Sequence, residues 1–202
     1  MTIRQDGDIR LCPVSAGEID IRARWMRHGE WLLYDAPWEP TDEPSVFREK
    51  FLQAVARQEE SVSRCTIYHK EDPIGSVSAY DPPHDKTSIK VGIDICEDSY
   101  LGKGFGTRSL SLWIDYWFVD RKVHRVGLET WSFNGRMLRV AEKCGFVAEG
   151  VEREALRWNG AWQSMHHFGM IEDEYARIRT ERSRKGEERT AGGSEKIQPQ
   201  QG

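Results

Sequence analysis

The sequence Tyr100-Leu101-Gly102-Lys103-Gly104-Phe105-Gly106-Thr107 decides the fold, because its three alternating glycines join a strand-like segment to a helical one. Upstream, Ser88–Ile95 alternates polar and apolar residues with period two, which predicts a half-buried strand. Downstream, residues 107–118 contain no helix breaker and carry a broad apolar face, which predicts a helix. Glycines let the backbone approach a ligand closely, and the first N–H groups of a helix have no partner within it. We therefore interpret the turn as an anion site that cradles a pyrophosphate.

The glycine spacing separates this turn from two common phosphate motifs. It is Gly-x-Gly-x-Gly, whereas dinucleotide folds use Gly-x-Gly-x-x-Gly and Walker loops use Gly-x-x-x-x-Gly-Lys-Ser/Thr. A plain structural turn is the alternative. The chain that follows favours a ligand site: residues 124–131 alternate like a second strand, and a helix begins after Asn134 and is closed by Gly145.

This ordered set resembles the GNAT superfamily of acetyl-CoA-dependent N-acetyltransferases. The family's Gln/Arg-x-x-Gly-x-Gly/Ala loop would begin at Leu101, where leucine stands in place of the usual Gln or Arg, and its later Asn…Lys-x-Gly-Phe pattern falls on Asn134, Lys143, Gly145 and Phe146. The closing segment, residues 157–170, resembles the RimJ/RimL-like branch, which acetylates protein N-termini, polyamines and aminoglycoside-like amines.

The resemblance implies a set of cofactor-binding residues. In such folds, the strand before the glycine loop pairs with pantetheine, the loop N–H groups hold the pyrophosphate, and the asparagine contacts the pantetheine arm. Lys103 or Arg108 would add positive charge. The implied set is Ile93, Ile95, Cys96, Leu101, Gly102, Lys103, Gly104, Phe105, Gly106, Thr107 and Asn134.

Catalytic groups are less clearly marked. Many relatives place a tyrosine seven residues after the asparagine, or a serine three residues after it, but here these positions are Ala141 and Met137. We expect Cys144, on the same helix, to be a buried core thiol. Asp94 and Glu129, on the two central strands, are the candidate bases, with a solvated strand face as the alternative for each. Further carboxylate candidates, with the same alternative, are Glu152 and Glu154 on the penultimate strand.

The acceptor site is predicted in the first helices and loops, where carboxylates alternate with aromatic residues. Such a surface suits a cationic amine, through charge attraction and cation–π contact. The candidate residues are Trp31, Tyr34, Trp38 and Glu39; a solvated acidic loop over core tryptophans is the alternative. His166-His167 has no third ligand near it in sequence, so we predict no metal site.

Composition bounds the class of protein. Of 202 residues, 31% are charged and 38% hydrophobic, with a formal net charge of −4, which gives no electrostatic attraction to nucleic acid. No apolar run has membrane-spanning length, and residues 1–7 lack the apolar core of a signal peptide. The four cysteines are widely spaced and contain no Cys-x-x-Cys pair, which favours reduced thiols. We expect a cytoplasmic protein; its oligomeric state stays open, with a homodimer as one alternative.

The fold implied is α/β (α+β), a mixed, mostly antiparallel twisted sheet of six or seven strands flanked by helices. We predict an N-terminal extension over 1–8, the acetyltransferase domain over 9–175, and a charged, disordered tail over 176–202. Within the domain, the patterns predict helices over 16–33 and 45–58, strands over 9–14, 63–69, 73–80, 147–156 and 162–171, a turn over 81–86, and a hairpin turn at Asn159-Gly160.

The leading functional hypothesis is transfer of the acetyl group of acetyl-CoA to a primary amine without a covalent enzyme intermediate. A small cationic amine is slightly favoured over a protein N-terminus. A non-catalytic acyl-CoA-binding regulator is the alternative from another class, supported by the apolar Ala141 and Met137. The motif spacing argues against a third alternative, a nucleotide-phosphate binder.

Overall fold

A single sheet forms the centre of the computed structural model, which describes residues 1–57, 62–80 and 87–192. Within these ranges the sheet has eight strands, in the spatial order β1-β2-β3-β4-β5-β6-β8-β7. All neighbours are antiparallel except β5 and β6. The strands are β1 (Arg4–Asp6), β2 (Ile9–Pro13), β3 (Arg64–His69), β4 (Asp72–Tyr80), β5 (Ser88–Ile95), β6 (Arg125–Trp131), β7 (Val147–Trp158) and β8 (Ala161–Ile171). The predicted fold class is confirmed.

Five α-helices in the described ranges cover the sheet: α1 (Ile19–Trp25), α2 (Pro44–Arg57), α3 (Phe105–Asp115), α4 (Gly135–Cys144) and α5 (Glu172–Gly192). The main core joins α3, α4 and α5 to the strands, and α1 and α2 form a smaller cluster with Val14. Trp113 of α3 is fully buried and donates its indole N–H to Ser78 O at 2.9 Å, which ties α3 to β4.

The predicted first helix is broken in the structure. α1 lies between two short 3₁₀ turns, Ala16–Glu18 and Glu30–Leu33. The break follows from Gly29, whose φ is +119°; a Cβ there would lie 3.0 Å from Cys96 O. Periodicity cannot detect this close approach, because it depends on the end of β5, which is distant in sequence.

Regular secondary structure continues past both predicted domain boundaries. β1 pairs with β2, so residues before Ile9 belong to the sheet and raise the strand number to eight. α5 crosses residue 176 because Tyr175 stacks on Phe118, with ring centroids 4.5 Å apart, and Ile178 packs on the main core. The tail beyond Gly192 and the turn over 81–86 lie outside the described residues.

Candidate active site

The site is built around a fork between β5 and β6. These parallel strands pair only at Ser88–Arg125, Ile89–Val126 and Lys90–Gly127, after which they diverge, while β5 stays paired with β4 as far as Ile95. We call the gap beyond Lys90 and Gly127 the fork. A cleft of about 560 Å³ lies in it and extends from the glycine turn to the start of α4.

Backbone groups of β5 are free to bind a ligand in the fork. Cys96 donates its N–H to Ile74 O of β4 at 2.9 Å. Backbone groups point alternately to the two sides of an antiparallel strand, so those of Ile93 and Ile95 point away from β4 into the fork. Cys96 differs from expectation: its N–H is bound to β4, and its side chain is buried outside the cleft.

The glycine turn adopts the geometry of an anion cradle. Gly102 and Gly104 have φ of +71° and +87°, a conformation that favours glycine, and a Cβ at either would meet no heavy atom within 4 Å. The turn leads directly into α3, whose first N–H groups need partners. Together these features leave open space against unpaired N–H groups, which fits the predicted pyrophosphate.

The positive charge near the cradle comes from α4 and from neither of the residues expected to supply it. Arg108 donates to Asp6 Oδ2 and Asp6 O, each at 2.8 Å, and to Asp8 Oδ1 at 3.2 Å, so its guanidinium is engaged by the β1–β2 hairpin. Lys103 is exposed and does not line the cleft. Arg139 and Lys143 do line it. Arg139 and Lys143 are four residues apart and share one face of α4 with the cleft, and this spacing after Asn134 could have identified them from the sequence.

Phe105 supports the glycine turn from behind. Its ring packs edge-on against Tyr100 and His69, with centroid distances of 5.1 and 4.9 Å. The Phe105 side chain therefore supports the turn and does not line the cleft. Its backbone N–H, at the start of α3, is part of the cradle.

Asn134 is a helix cap that also lines the cleft. Its Oδ1 accepts the N–H of Met137 at 3.0 Å, as predicted for the N-cap of α4. With Oδ1 bound to the helix, the side-chain NH₂ of Asn134 is the group available to donate to a ligand.

The two roles of Asn134 can be separated by substitution. We expect Asn134→Ala to lower the free energy of unfolding by about 1 kcal/mol, because the cap is lost. Asn134→Ser keeps a capping oxygen and removes the NH₂, so it should retain stability and weaken acetyl-CoA binding about three- to tenfold. Urea unfolding and calorimetric titration measure the two effects. Wild-type affinity in Asn134→Ser would show that the residue is a cap alone.

The acceptor end of the cleft is aromatic and acidic. Trp31 and Tyr34 line it, as does Asp35, which was not among the candidates. The remaining two candidates lie elsewhere. Trp38 packs edge-on against Trp131 and Trp158, with centroids 5.2 and 5.6 Å apart, and Glu39 is exposed away from the cleft.

An ion pair fixes this aromatic wall against α4. Arg136 donates to Glu30 Oε1 at 2.7 Å, and its guanidinium carbon lies 5.5 Å from the ring centroid of Tyr34. Glu30 is bound at its N–H as well, by Asp98 Oδ1 at 2.8 Å. The segment that carries Asp35 is thereby tied to both sides of the cleft.

Of the carboxylates that line the cleft, Asp94 has the most strongly raised pKa. Its side chain is half-buried and lines the cleft. This burial, together with the charge of Asp35, raises the pKa of Asp94 to about 7. Burial raises the pKa of Asp35 as well, although the Asp35 side chain is more open to the cleft mouth.

Glu129 lines the cleft, but its carboxylate is already engaged. Glu129 Oε1 accepts from Lys90 Nζ at 2.6 Å and lies 3.1 Å from His167 Nδ1. His167 Nε2 lies 3.3 Å from Glu152 Oε1. This charged row closes the base of the fork and makes Glu129 a weaker candidate base than Asp94. In the described part of the chain, no group of three or more His, Cys, Asp or Glu residues is arranged to hold a metal ion.

The two positions at which a hydroxyl was expected from the resemblance, Met137 and Ala141, differ in their access to the cleft. Met137 lines the cleft, whereas Ala141 is fully buried. Cys144 is a core thiol as predicted: it is buried, its Sγ lies 3.6 Å from Thr107 O, and burial raises its pKa.

Comparisons with known proteins agree with this geometry. A family model described as an acetyltransferase (GNAT) domain matches residues 9–147. The probable N-acetyltransferase YjcK of Bacillus subtilis is 36% identical over 67 residues, which are 33% of this chain and 37% of that protein, so the chain spans little more than a third of that relative. The spermidine N(1)-acetyltransferase of Vibrio cholerae is 24% identical over 87% of this chain and 95% of its own.

Among solved structures, the ribosomal L7/L12 α-N-protein acetyltransferase RimL, in complex with coenzyme A, superposes with a TM-score of 0.74 at 15% identity, over 86% of this chain and 99% of that chain. In the described ranges, no helix is long and apolar enough to span a membrane. From its matched residues, this chain belongs to the acetyltransferase (GNAT) family.

Proposed function

We propose that the protein acetylates a small cationic amine, such as a polyamine or an aminoglycoside-like compound. The observation that carries this proposal is the presence of two carboxylates, Asp35 and Asp94, in one cleft lined by Trp31 and Tyr34. An amine with two or more protonated groups can pair with both carboxylates and can stack on the aromatic rings, which is the pairing that such a surface favours. The spermidine acetyltransferase among the relatives supports a substrate of this class.

The cleft has a separate region for each part of acetyl-CoA. Acetyl-CoA supplies the activated acetyl group. The N–H groups around Gly104 and the start of α3 would hold the pyrophosphate, Arg139 and Lys143 would face its phosphates, and the backbone of Ile93 and Ile95 would pair with the pantetheine arm. This arrangement leaves the Asp94 end of the fork for the acceptor.

Asp94 would act as the general base. Its pKa of about 7 lets it be ionised near neutral pH and still bind a proton firmly. An amine arrives as its ammonium form and must lose a proton before it attacks a thioester; Asp94 would take this proton, directly or through a water molecule. Asp35 would hold a cationic group beside the reacting amine. Because Met137 and Ala141 offer no hydroxyl, the departing thiolate would take its proton from water.

Steady-state assays on an amine panel test the acceptor class. We expect kcat/KM for spermidine to exceed that for an N-terminally free peptide with blocked lysines by at least about tenfold. Asp35→Asn should raise KM for spermidine about tenfold, which corresponds to one lost charge contact of about 1.4 kcal/mol. Asp20→Asn, on the exposed side of α1, is the matched control.

Three outcomes of the panel discriminate between the hypotheses. Preference for the peptide would make the protein an N-terminal acetyltransferase and contradict the proposal. Binding of acetyl-CoA without turnover of any amine would favour the non-catalytic acyl-CoA-binding regulator. A rise in KM for spermidine in Asp20→Asn equal to that in Asp35→Asn would show that Asp35 has no specific role in the acceptor site.

Cytoplasmic location and a homodimer stay predictions.

A further inference from the structure

A buried ion pair lies beneath the sheet next to the site. The side chains of Glu18 and Arg22 have exposed fractions of 9% and 7%, and Arg22 Nε donates to Glu18 Oε2 at 3.2 Å. Arg22 Nη2 donates to Thr66 Oγ1 at 2.7 Å, and Thr66 in turn donates to Glu18. Buried charges are costly, and a structure that only needed stability could use apolar side chains here. The pair therefore calls for a functional explanation.

Neighbouring side chains hold both ends of the ion pair in place. Glu18 is bound on its far side by Tyr68 Oη at 3.1 Å and Ser15 Oγ at 3.5 Å. The guanidinium of Arg22 lies 5.7 Å from the ring centroids of both Trp25 and Phe51, which fix its plane. Tyr68 and Ser15 thus stabilise the negative end, and the positive end is bound to β3 through Thr66.

A row of polar side chains leads from this pair to the cleft. Thr66 of β3 is the register partner of Ser76 of β4, and Ser76 is the register partner of Asp94 of β5. Residues directly opposite each other in adjacent antiparallel strands carry their side chains on the same face. Thr66 and Ser76 are both buried. The register therefore places two hydroxyl side chains in line between Arg22 and Asp94.

We propose that the Glu18–Arg22 pair, bound to the sheet through Thr66, is a positioning element of the acetyl-transfer site that sets the proton balance of Asp94: the charge of Arg22 favours the carboxylate, and Glu18 limits that effect. The proposal rests on the proposed role of Asp94 as the base. Arg22 and Glu18 do not touch the substrate; they act through Asp94.

The expected size of the effect follows from distance. Two strand spacings of about 4.8 Å place Thr66, whose hydroxyl binds Arg22, on the order of 10 Å from Asp94, and we take this as the scale of the separation between the two charges. At an effective dielectric constant of about 20, a unit charge at that distance changes a pKa by about one. The other charges that act on Asp94 are Asp35, which raises its pKa, and Arg64, which lowers it as Arg22 does.

Nuclear magnetic resonance titration of the Asp94 carboxyl carbon tests the proposal without any substrate. The wild-type midpoint is expected near pH 7. Arg22→Met should move the midpoint up by about one pH unit, and Glu18→Gln should move it down, because the charge of Arg22 is then uncompensated. The pH profile of kcat/KM should shift in the same two directions.

Opposite shifts of the Asp94 midpoint in Arg22→Met and Glu18→Gln distinguish an electrostatic role from a structural one. If the pair were only structural, both substitutions would disturb the site in the same way and the midpoint would not move in opposite directions. Arg22→Lys keeps the charge and should keep the midpoint. If Arg22→Met does not fold, the nearly isosteric Thr66→Val removes the hydroxyl that binds the guanidinium and should move the midpoint up by a smaller amount.

Failure of this proposal is distinguishable from failure of the proposed function. An active wild-type enzyme with the same Asp94 midpoint in every variant would overturn the positioning role alone. Midpoints that shift as expected in a protein without acetyltransferase activity would overturn the proposed function and retain the electrostatic link between Arg22 and Asp94.

Discussion

Asp94→Asn is expected to lower kcat/KM by about 10²- to 10⁴-fold, the usual loss when a general base is removed. The amide has nearly the same shape as the carboxylate, so acetyl-CoA affinity should change little. In the wild-type enzyme, kcat/KM should rise with pH and level off above about 7, where Asp94 becomes ionised. The variant should lack this inflection. A pH profile of kcat/KM, measured with the amine below saturation, and titration with acetyl-CoA check both statements.

The same substitution should stabilise the protein above neutral pH. The raised pKa means that folded Asp94 keeps its proton between about pH 4 and pH 7, while the unfolded chain has lost it. The folded state then binds more protons, so the free energy of unfolding falls as pH rises through this window. Asp94→Asn removes that dependence. We expect equal stability at pH 4, and at pH 8 a gain on the order of 2 kcal/mol for the variant.

Glu129→Gln is the matched comparison for Asp94→Asn. Because Glu129 is engaged by Lys90 and His167, it should lose less activity than the Asp94 variant and should keep the inflection near pH 7. A larger loss in Glu129→Gln, together with an unchanged pH profile in Asp94→Asn, would assign the base to Glu129 instead.

Gly106→Val should weaken acetyl-CoA binding by about 100-fold without unfolding the protein. Gly106 lies in the first turn of α3, lines the cleft and has no left-handed backbone requirement. A Cβ there would meet Ile95 Cγ1 at 3.8 Å and Val140 Cγ2 at 3.9 Å, which are ordinary contacts. The two further methyl groups of valine would project into the cleft where the cofactor must approach the backbone. Overpacking of this kind costs about 1–3 kcal/mol, which is about 5- to 150-fold in affinity.

Calorimetric titration with acetyl-CoA measures the Gly106→Val effect, and thermal unfolding checks that the variant is folded. Gly150→Val is the matched control, because Gly150 lies on the exposed edge strand β7 and a Cβ there would meet nothing within 4 Å. Gly104 is less suitable, since its φ of +87° would strain any side chain. Undiminished affinity in a folded Gly106→Val would place the cofactor outside the fork.

Local sequence signals determined the elements that carry the cofactor. The alternating segment Ser88–Ile95 is β5 to the residue, and the cap and closing residue of α4 are Asn134 and Gly145 as predicted. The Asn159-Gly160 turn is also confirmed, with φ of +49° and +78°. These features depend on backbone dihedrals, capping bonds and periodicity over a few residues, so the residues themselves specify them.

Only the tertiary structure decided which side chains meet in the cleft. Asp35 and Asp94 are far apart in sequence, and the raised pKa of Asp94 requires both the enclosure of the fork and the neighbouring carboxylate. Arg108 is engaged by β1 and β2, and Gly29 breaks the first helix because it approaches Cys96. Burial, charge coupling and close backbone approach arise between residues that only the fold brings together. The sequence therefore determined the frame of the cleft, and the packing of distant segments decided which charged groups meet at its proposed acceptor end.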